Sequence, residues 1–399
     1  MNDQNIITRI WQLSLLSFII AAFTGFLYRY GMLYQLPEGI GFANIRHAHS
    51  HLMFFNWITP PIMVWMAITI TGKSEAGSLK QFGYCLYTML FLGFLSFPFF
   101  LLYGYHSVAI GSLSLPLAAM ISGLVMITWY WFAILWYRLR KQSNDSLGLI
   151  FFDAALIALL ISSLGAWGVS VFQFTDIDSP LVSSAMTHFF LGVFTEGWVV
   201  LGILGMIWQK AKPGNLPFKP GWLWLPILFG SMLIFPFSLN RTLITPAMHM
   251  AANAGLILIA VALFLNLWLM YRERLLSNFV MKTVGFLIAL KILFQITAVS
   301  PFGIWPGEHG LRVLYLHILL MGIGSLILIE LFHYVRDKWA KTIFTLSVIL
   351  VLITLVFISG YWPTSLMVPN VYKWVLLTAF LPAFPVIWLL VNSLRKQQL

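Results

Sequence analysis

An all-α, polytopic integral membrane protein is the fold this sequence predicts, and three observations carry that expectation. Of 399 residues, 60% are hydrophobic and 9% are charged, whereas a soluble chain carries roughly a quarter charged residues. The mean hydropathy is +0.89. The apolar residues gather in unbroken runs long enough for a bilayer-crossing helix, which needs about 20 residues. Membrane β-strands would be about ten residues long and would alternate in polarity. A soluble enzyme, a DNA-binding protein and a disordered chain are excluded. About twelve spans use nearly the whole length, so residues 1–399 read as a single transmembrane domain.

The first run, 8–29, is long and has no small-residue cleavage site, so it reads as a retained helix. The second, 44–71, opens with Arg46-His47-Ala48-His49-Ser50-His51. Runs 81–103 and 108–137 follow, with His106 in the short loop between them. The single cysteine, Cys85, lies in an apolar segment, which excludes an internal disulfide and a thiolate cluster. Arg138, Arg140 and Lys141 precede run 148–174, which carries Asp153 near its start. Asp176 and Asp178 lead into 181–209, which carries His188 and Glu196. Lys212-Pro213-Gly214 marks the turn to 221–239, and 243–271 carries His249 between Met248 and Met250. Lys291 lies near the middle of 278–299, and Trp305-Pro306-Gly307 precedes 308–335, which holds His309, His317, Glu330 and His333. Runs 340–361 and 370–394 complete the chain.

The loops orient these runs. Apart from Lys291, seventeen lysines and arginines fall on the N-terminal side, from Arg9 through Lys73, Arg138, Lys210, Arg272 and Arg336 to Lys396. Five fall on the other: Arg29, Arg46, Arg241, Arg312 and Lys373. The positive-inside rule then puts both termini in the cytoplasm, as expected of a multi-pass protein of the plasma (inner) membrane with an even helix count. It also accounts for the net charge of +11 without nucleic acid as a partner; the partner is the lipid bilayer.

Eight of the nine histidines fall at or near the outer ends; His333 is the exception. His51, His188, His249 and His317 each lie roughly six to nine residues into their run, about 10 Å below the outer surface at 1.5 Å per residue. Ionisable groups inside a membrane face the bundle interior or a cavity, and neutral imidazole is a common ligand for iron and copper. His47 and His51 are four apart and share a helix face, while His49 points elsewhere. His309 and His317 differ by about 12 Å along the axis and serve different levels.

His51, His188 and His317 sit on runs 2, 6 and 10, four apart each time, which suggests three arcs of four helices. On this pattern the chain resembles subunit I of the heme-copper oxidase and nitric-oxide reductase superfamily. The His-Ala-His-Ser-His opening of run 2 and the His317, Gly322, Gly324 pattern of run 10 also resemble the NnrS-type heme- and copper-containing membrane proteins. The resemblance implies a heme held in the outer half by His51, or by its neighbour His47, together with His317. It implies a second metal, copper, near His188. It implies electron transfer, or binding or reduction of a diatomic gas such as nitric oxide or dioxygen, and an electron donor or partner redox subunit. The pattern departs from an oxidase, which has adjacent histidines on run 7 where this chain has none. His188, His249 and His309 are the alternative donors for a second metal. Arg46 and Arg312, at the outer ends of runs 2 and 10, suit heme propionates.

Glu196 and Lys291 lie near mid-membrane, where each alone would cost a few kcal/mol. They read either as a proton relay or as a buried pair with each other. In the rival reading the chain is a proton-coupled secondary transporter or metal permease, with Glu196 and Lys291 as the coupling pair at the midplane.

Overall fold

The computed structural model describes residues 3–72, 79–173, 179–299, 309–332, 337–366 and 368–395. Helices occupy all twelve expected runs. They are α1 (Asp3–Gly31), α2 (Phe42–Thr71), α3 (Leu79–Tyr103), α4 (Leu117–Arg140), α5 (Leu147–Gln173), α6 (Pro180–Ala211), α7 (Gly221–Leu233), α8 (Pro246–Arg272), α9 (Phe279–Ala298), α10 (His309–Leu331), α11 (Lys338–Phe357) and α12 (Val371–Arg395). Among the described residues, eleven are long and apolar enough to cross a membrane; α7, with 13 residues, is shorter. The protein is an all-α, multi-pass membrane protein. Lys73, Asp176, Asp178, Trp305-Pro306-Gly307, His333, Arg336 and Lys396 lie outside the described residues.

Three boundaries differ from the sequence expectation, each for a local reason. Residues 108–115 do not begin α4; they form an antiparallel hairpin of β1 (Val108–Ile110) and β2 (Leu113–Leu115). Gly111, at φ 61°, supplies the positive dihedral that the two-residue loop requires. Helix α7 stops at Leu233 and passes into a 3₁₀ turn, Phe235–Ser238, at Pro236, which has no N–H to continue the α-helical ladder. Helix α12 breaks between Ala379 and Ala383, where Pro382 imposes the same defect.

The helices α2, α6 and α10 share a feature that hydropathy does not report. Each contains a seven-residue π-helical segment, at Leu52–Ile58, Val193–Val199 and Ile318–Gly324, and every residue of the three is buried. Short π segments inside α-helices occur frequently at functional sites. In α2 the cause is legible. Pro60 and Pro61 have no N–H for the carbonyls of Asn56 and Trp57, and the preceding turn widens so that the Thr59 N–H reaches Phe54 O. In α6 the Thr195 hydroxyl donates to Leu191 O at 2.7 Å, and in α10 the Ser325 hydroxyl donates to Leu320 O at 2.9 Å. Side-chain bonds to backbone carbonyls of this kind compete with the regular ladder.

The helices group into two compact units. One comprises Met1–Asn144, Phe332–Thr354 and Val368–Leu399; the other comprises Asp145–Leu331 and Leu355–Met367. In the first, α1 packs on α2, α3 and α12. Its core is aromatic: Trp11 stacks on Phe332 at 4.1 Å and lies 5.7 Å from Trp57, and Phe18 meets Trp57 edge-on at 4.9 Å. Asp337 begins α11 by accepting the N–H groups of Trp339 and Ala340, and its second oxygen accepts from Trp388 Nε1 of α12 at 2.8 Å. In the second unit α5 packs on α6, and α7 on α8. The buried amide of Asn266 on α8 donates to Leu223 O of α7 at 2.9 Å and accepts from Trp208 Nε1 of α6 at 2.8 Å.

Candidate functional site

The first unit holds the histidine cluster of α2. His47 and His51 both meet Tyr105, which lies just past the end of α3. The His47 ring lies edge-on to Tyr105 at 4.8 Å, and His51 Nε2 is hydrogen-bonded to the Tyr105 hydroxyl at 3.3 Å. The His51 ring stacks on Phe100 at 3.8 Å, and its Nδ1 is buried with no hydrogen-bond partner. His49 turns the other way and bonds Ala21 O of α1 at 2.8 Å through Nδ1. The four-residue spacing of His47 and His51 therefore does place them on one face, with His49 as a packing residue on another. Arg46, beside them, is exposed.

Burial pushes the Tyr105 phenol up from 10.0 to about 12. The folded chain keeps this proton at a pH where the unfolded chain releases it. The stabilisation is therefore fully present below pH 10 and is lost as pH rises through about 12. Tyr105→Phe is expected to flatten the alkaline fall in melting temperature. An unchanged slope in the variant would show that the phenol is not buried as described.

The second unit holds the other candidates. His317 Nδ1 lies 2.7 Å from Val313 O one turn earlier, so its N–H donates there and the lone pair falls on Nε2. A backbone bond of this kind orients a ligating histidine and sets its tautomer. His188 Nδ1 is buried without a partner, and the side chain is within electrostatic range of Arg312. His249 Nδ1 lies 3.4 Å from Asn253 Nδ2, and Met250 is 72% exposed. His309 is exposed at the start of α10. Among the described residues no group of three or more His, Cys, Asp or Glu side chains could hold a metal ion. The proposed trio His188, His249 and His309 is thus not assembled as a cluster.

The most developed polar site in this unit is the one around Glu196 and Lys291. Glu196 sits in the π-helical segment of α6, Lys291 on α9, and the two are 1% exposed each. Lys291 Nζ donates to Glu196 Oε1 at 2.6 Å and also to the Tyr315 hydroxyl. Tyr315, on α10, donates to the same Oε1 at 2.8 Å, and Gln295 Nε2 donates to Tyr315 at 3.2 Å. Two acceptors in the cluster have no donor: Glu196 Oε2 and Gln295 Oε1. The wider π turn carries the Glu196 backbone against α5 and α7. A Cβ on Gly197 would stand 2.8 Å from Ala158 Cβ and 2.9 Å from Ser231 Oγ.

Sequence reasoning had singled out Glu196 and Lys291 but not Tyr315, Gln295 or Tyr105. Gln295 carried a usable signal, being one helical turn from Lys291 in an otherwise apolar run. Tyr315 and Tyr105 carried none, because an aromatic residue near a membrane interface is expected for other reasons. No protein-family model matches this sequence, and no curated protein matches it.

Proposed function

We propose that the chain is a heme-binding redox membrane protein of the inner membrane, with both termini in the cytoplasm. It would receive electrons from a partner donor and act on a diatomic gas such as nitric oxide or dioxygen. The observation that supports this reading is shared by three helices four apart. Each of α2, α6 and α10 bears a histidine shortly before a fully buried π-helical segment. The donor chemistry suits heme. His51 offers a buried Nδ1 without a partner, and His317 is oriented by Val313 O with its lone pair on Nε2. Heme, when bound, supplies the one-electron chemistry and the gas-binding iron. The residues of this chain hold and orient imidazoles, exclude water, and place Glu196 and Lys291 where protons that accompany electrons are taken up. Arg46 and Arg312 suit propionate carboxylates by their bidentate geometry.

A dithionite-reduced minus oxidised visible spectrum of the purified protein, with pyridine-hemochrome stoichiometry, tests it. The expected result is a sharp α band that His317→Ala and His51→Ala abolish. Unchanged heme content in both variants, or no Soret band after expression with ample heme, overturns it. One observation favours a second reading, a proton-coupled transporter: a buried ion pair whose Glu196 Oε2 has no partner suits a coupling site near the midplane. Such a protein would bind no heme.

A further inference from the structure

We propose that the groove between the end of α8 and the start of α9 binds one anionic phospholipid, with an acyl chain in the groove and the phosphate on Lys282. The groove lies in the second unit. Lys282 stands about 13.5 Å before Lys291 along α9, so the site is separate from the buried ion pair and does not depend on heme.

A missing side chain opens the groove. Gly285 interrupts the bulky start of α9, and a Cβ there would meet Leu276 methyls at 3.0 and 3.2 Å and a Leu267 methyl at 3.6 Å. The floor is therefore apolar. On α8, Phe264, Trp268 and Tyr271 line the groove at spacings of four and three, so they share one helix face. On α9, Phe286 stands one turn after Lys282 and completes the wall. The space enclosed is about 520 Å³, within the range of about 300–1,000 Å³ for ligand clefts. From Phe264 to the end of α8 at Arg272 is about 12 Å along the axis. Half of a bilayer's hydrocarbon core is about 15 Å thick, so this depth suits an acyl chain from one leaflet. Phe264 and Phe286 are exposed within their spans, so a chain can enter sideways from the bilayer.

The charges at the mouth select the headgroup. Lys282 lines the groove, is exposed, and among the described residues pairs with no carboxylate. Residues 271–282 add Arg272 and Arg274 against a single acid, Glu273. Glu273 lies 3.7 Å from Arg272, and Glu330 on α10 accepts from Asn278 Nδ2 at 2.9 Å. The Arg272 guanidinium stands 5.9 Å over the ring of Trp268, a wall of the groove. Unpaired positive charge above an apolar groove fits a phosphodiester that carries acyl chains. A free anion would leave the apolar walls uncovered. A zwitterionic lipid brings an ammonium of its own, which the same cations repel. Basic residues at the membrane surface attract anionic headgroups, and basic pockets between spans hold them. Phosphatidylglycerol has this chemistry.

Native mass spectrometry of the full chain in mild detergent, titrated with phosphatidylglycerol or with phosphatidylcholine of the same acyl chains, tests the proposal. One phosphatidylglycerol is expected to stay on each chain under activation that strips phosphatidylcholine. Lys282→Gln is expected to lower the affinity for phosphatidylglycerol about fivefold, the contribution of one basic residue at a membrane surface, and to leave phosphatidylcholine unchanged. Gly285→Phe fills the groove and is expected to remove the retained lipid. Lys141→Gln, in the other unit, is expected to change neither. Equal retention of the two lipids by the unaltered chain, as an exchanging lipid shell would give, overturns the proposal. So does a phosphatidylglycerol affinity that Lys282→Gln leaves unmoved or that Lys141→Gln lowers as much, and so does lipid still retained by folded Gly285→Phe. Should Gly285→Phe fail to fold, Lys282→Gln, at an exposed side chain, still decides.

Discussion

Lys291→Met is expected to cost about 3–5 kcal/mol of stability. The cause is the charge left behind. Glu196 would keep its desolvated carboxylate in a site that is 1% exposed, with Tyr315 as its one remaining donor. Removing the second charge as well should restore most of the loss, because a buried ion pair is often no more stable than an apolar or neutral pair of similar volume. The double variant Lys291→Met/Glu196→Gln is therefore expected to melt well above Lys291→Met alone. Thermal melting of the four proteins of this cycle in detergent measures the coupling directly. Additive losses across the cycle would mean that the two side chains do not form the buried pair.

The second large effect is expected where α7 crosses α8. A Cβ built on Gly230 would stand 2.7 Å from Gly255 O, and one on Gly255 would stand 2.8 Å from Gly230 O. Both obstacles are backbone atoms, which cannot turn aside as a side chain can. Small residues at such crossings let helices approach closely, and dispersion contacts then replace the hydrophobic drive that lipid does not supply. Gly230→Leu is expected to force the helices apart and to cost about 1–3 kcal/mol or more. It should also stretch the Asn266 bond to Leu223 O, which joins the same two helices and is now 2.9 Å. Gly214→Ala is the control, since nothing lies within 4 Å of a Cβ there. A fall in melting temperature and folded yield for Gly230→Leu, with none for Gly214→Ala, is the expected outcome. Equal behaviour would show that the crossing is looser than described.

Much of the fold was legible along the chain. In a bilayer each backbone N–H and C=O has to be satisfied within its own segment, so a long apolar run becomes a helix wherever it occurs. The departures came where a local backbone defect overrode hydropathy. Gly111 turned the start of run 108–137 into a hairpin, and Pro236 and Pro382 ended or broke helices that composition alone would have continued. Of the candidate site, the four-residue spacing of His47 and His51 correctly placed them on a common face, since that spacing is a property of one helix.

The sequence by itself determined that this is a helical membrane protein, roughly where each helix runs, and which few polar residues lie inside the apolar spans. These are local properties, read from runs of neighbouring residues. Only the tertiary structure decided which of those residues meet. Glu196 and Lys291, 95 positions apart, form an ion pair, and Tyr315 and Gln295 join them. The physical reason is that the spans are apolar nearly all round, so no hydrophobic stripe marks the inward face of a helix. Its rotation about its own axis is set by contacts with helices distant in the chain. The π turns of α2, α6 and α10 then shift that rotation part-way along a single helix.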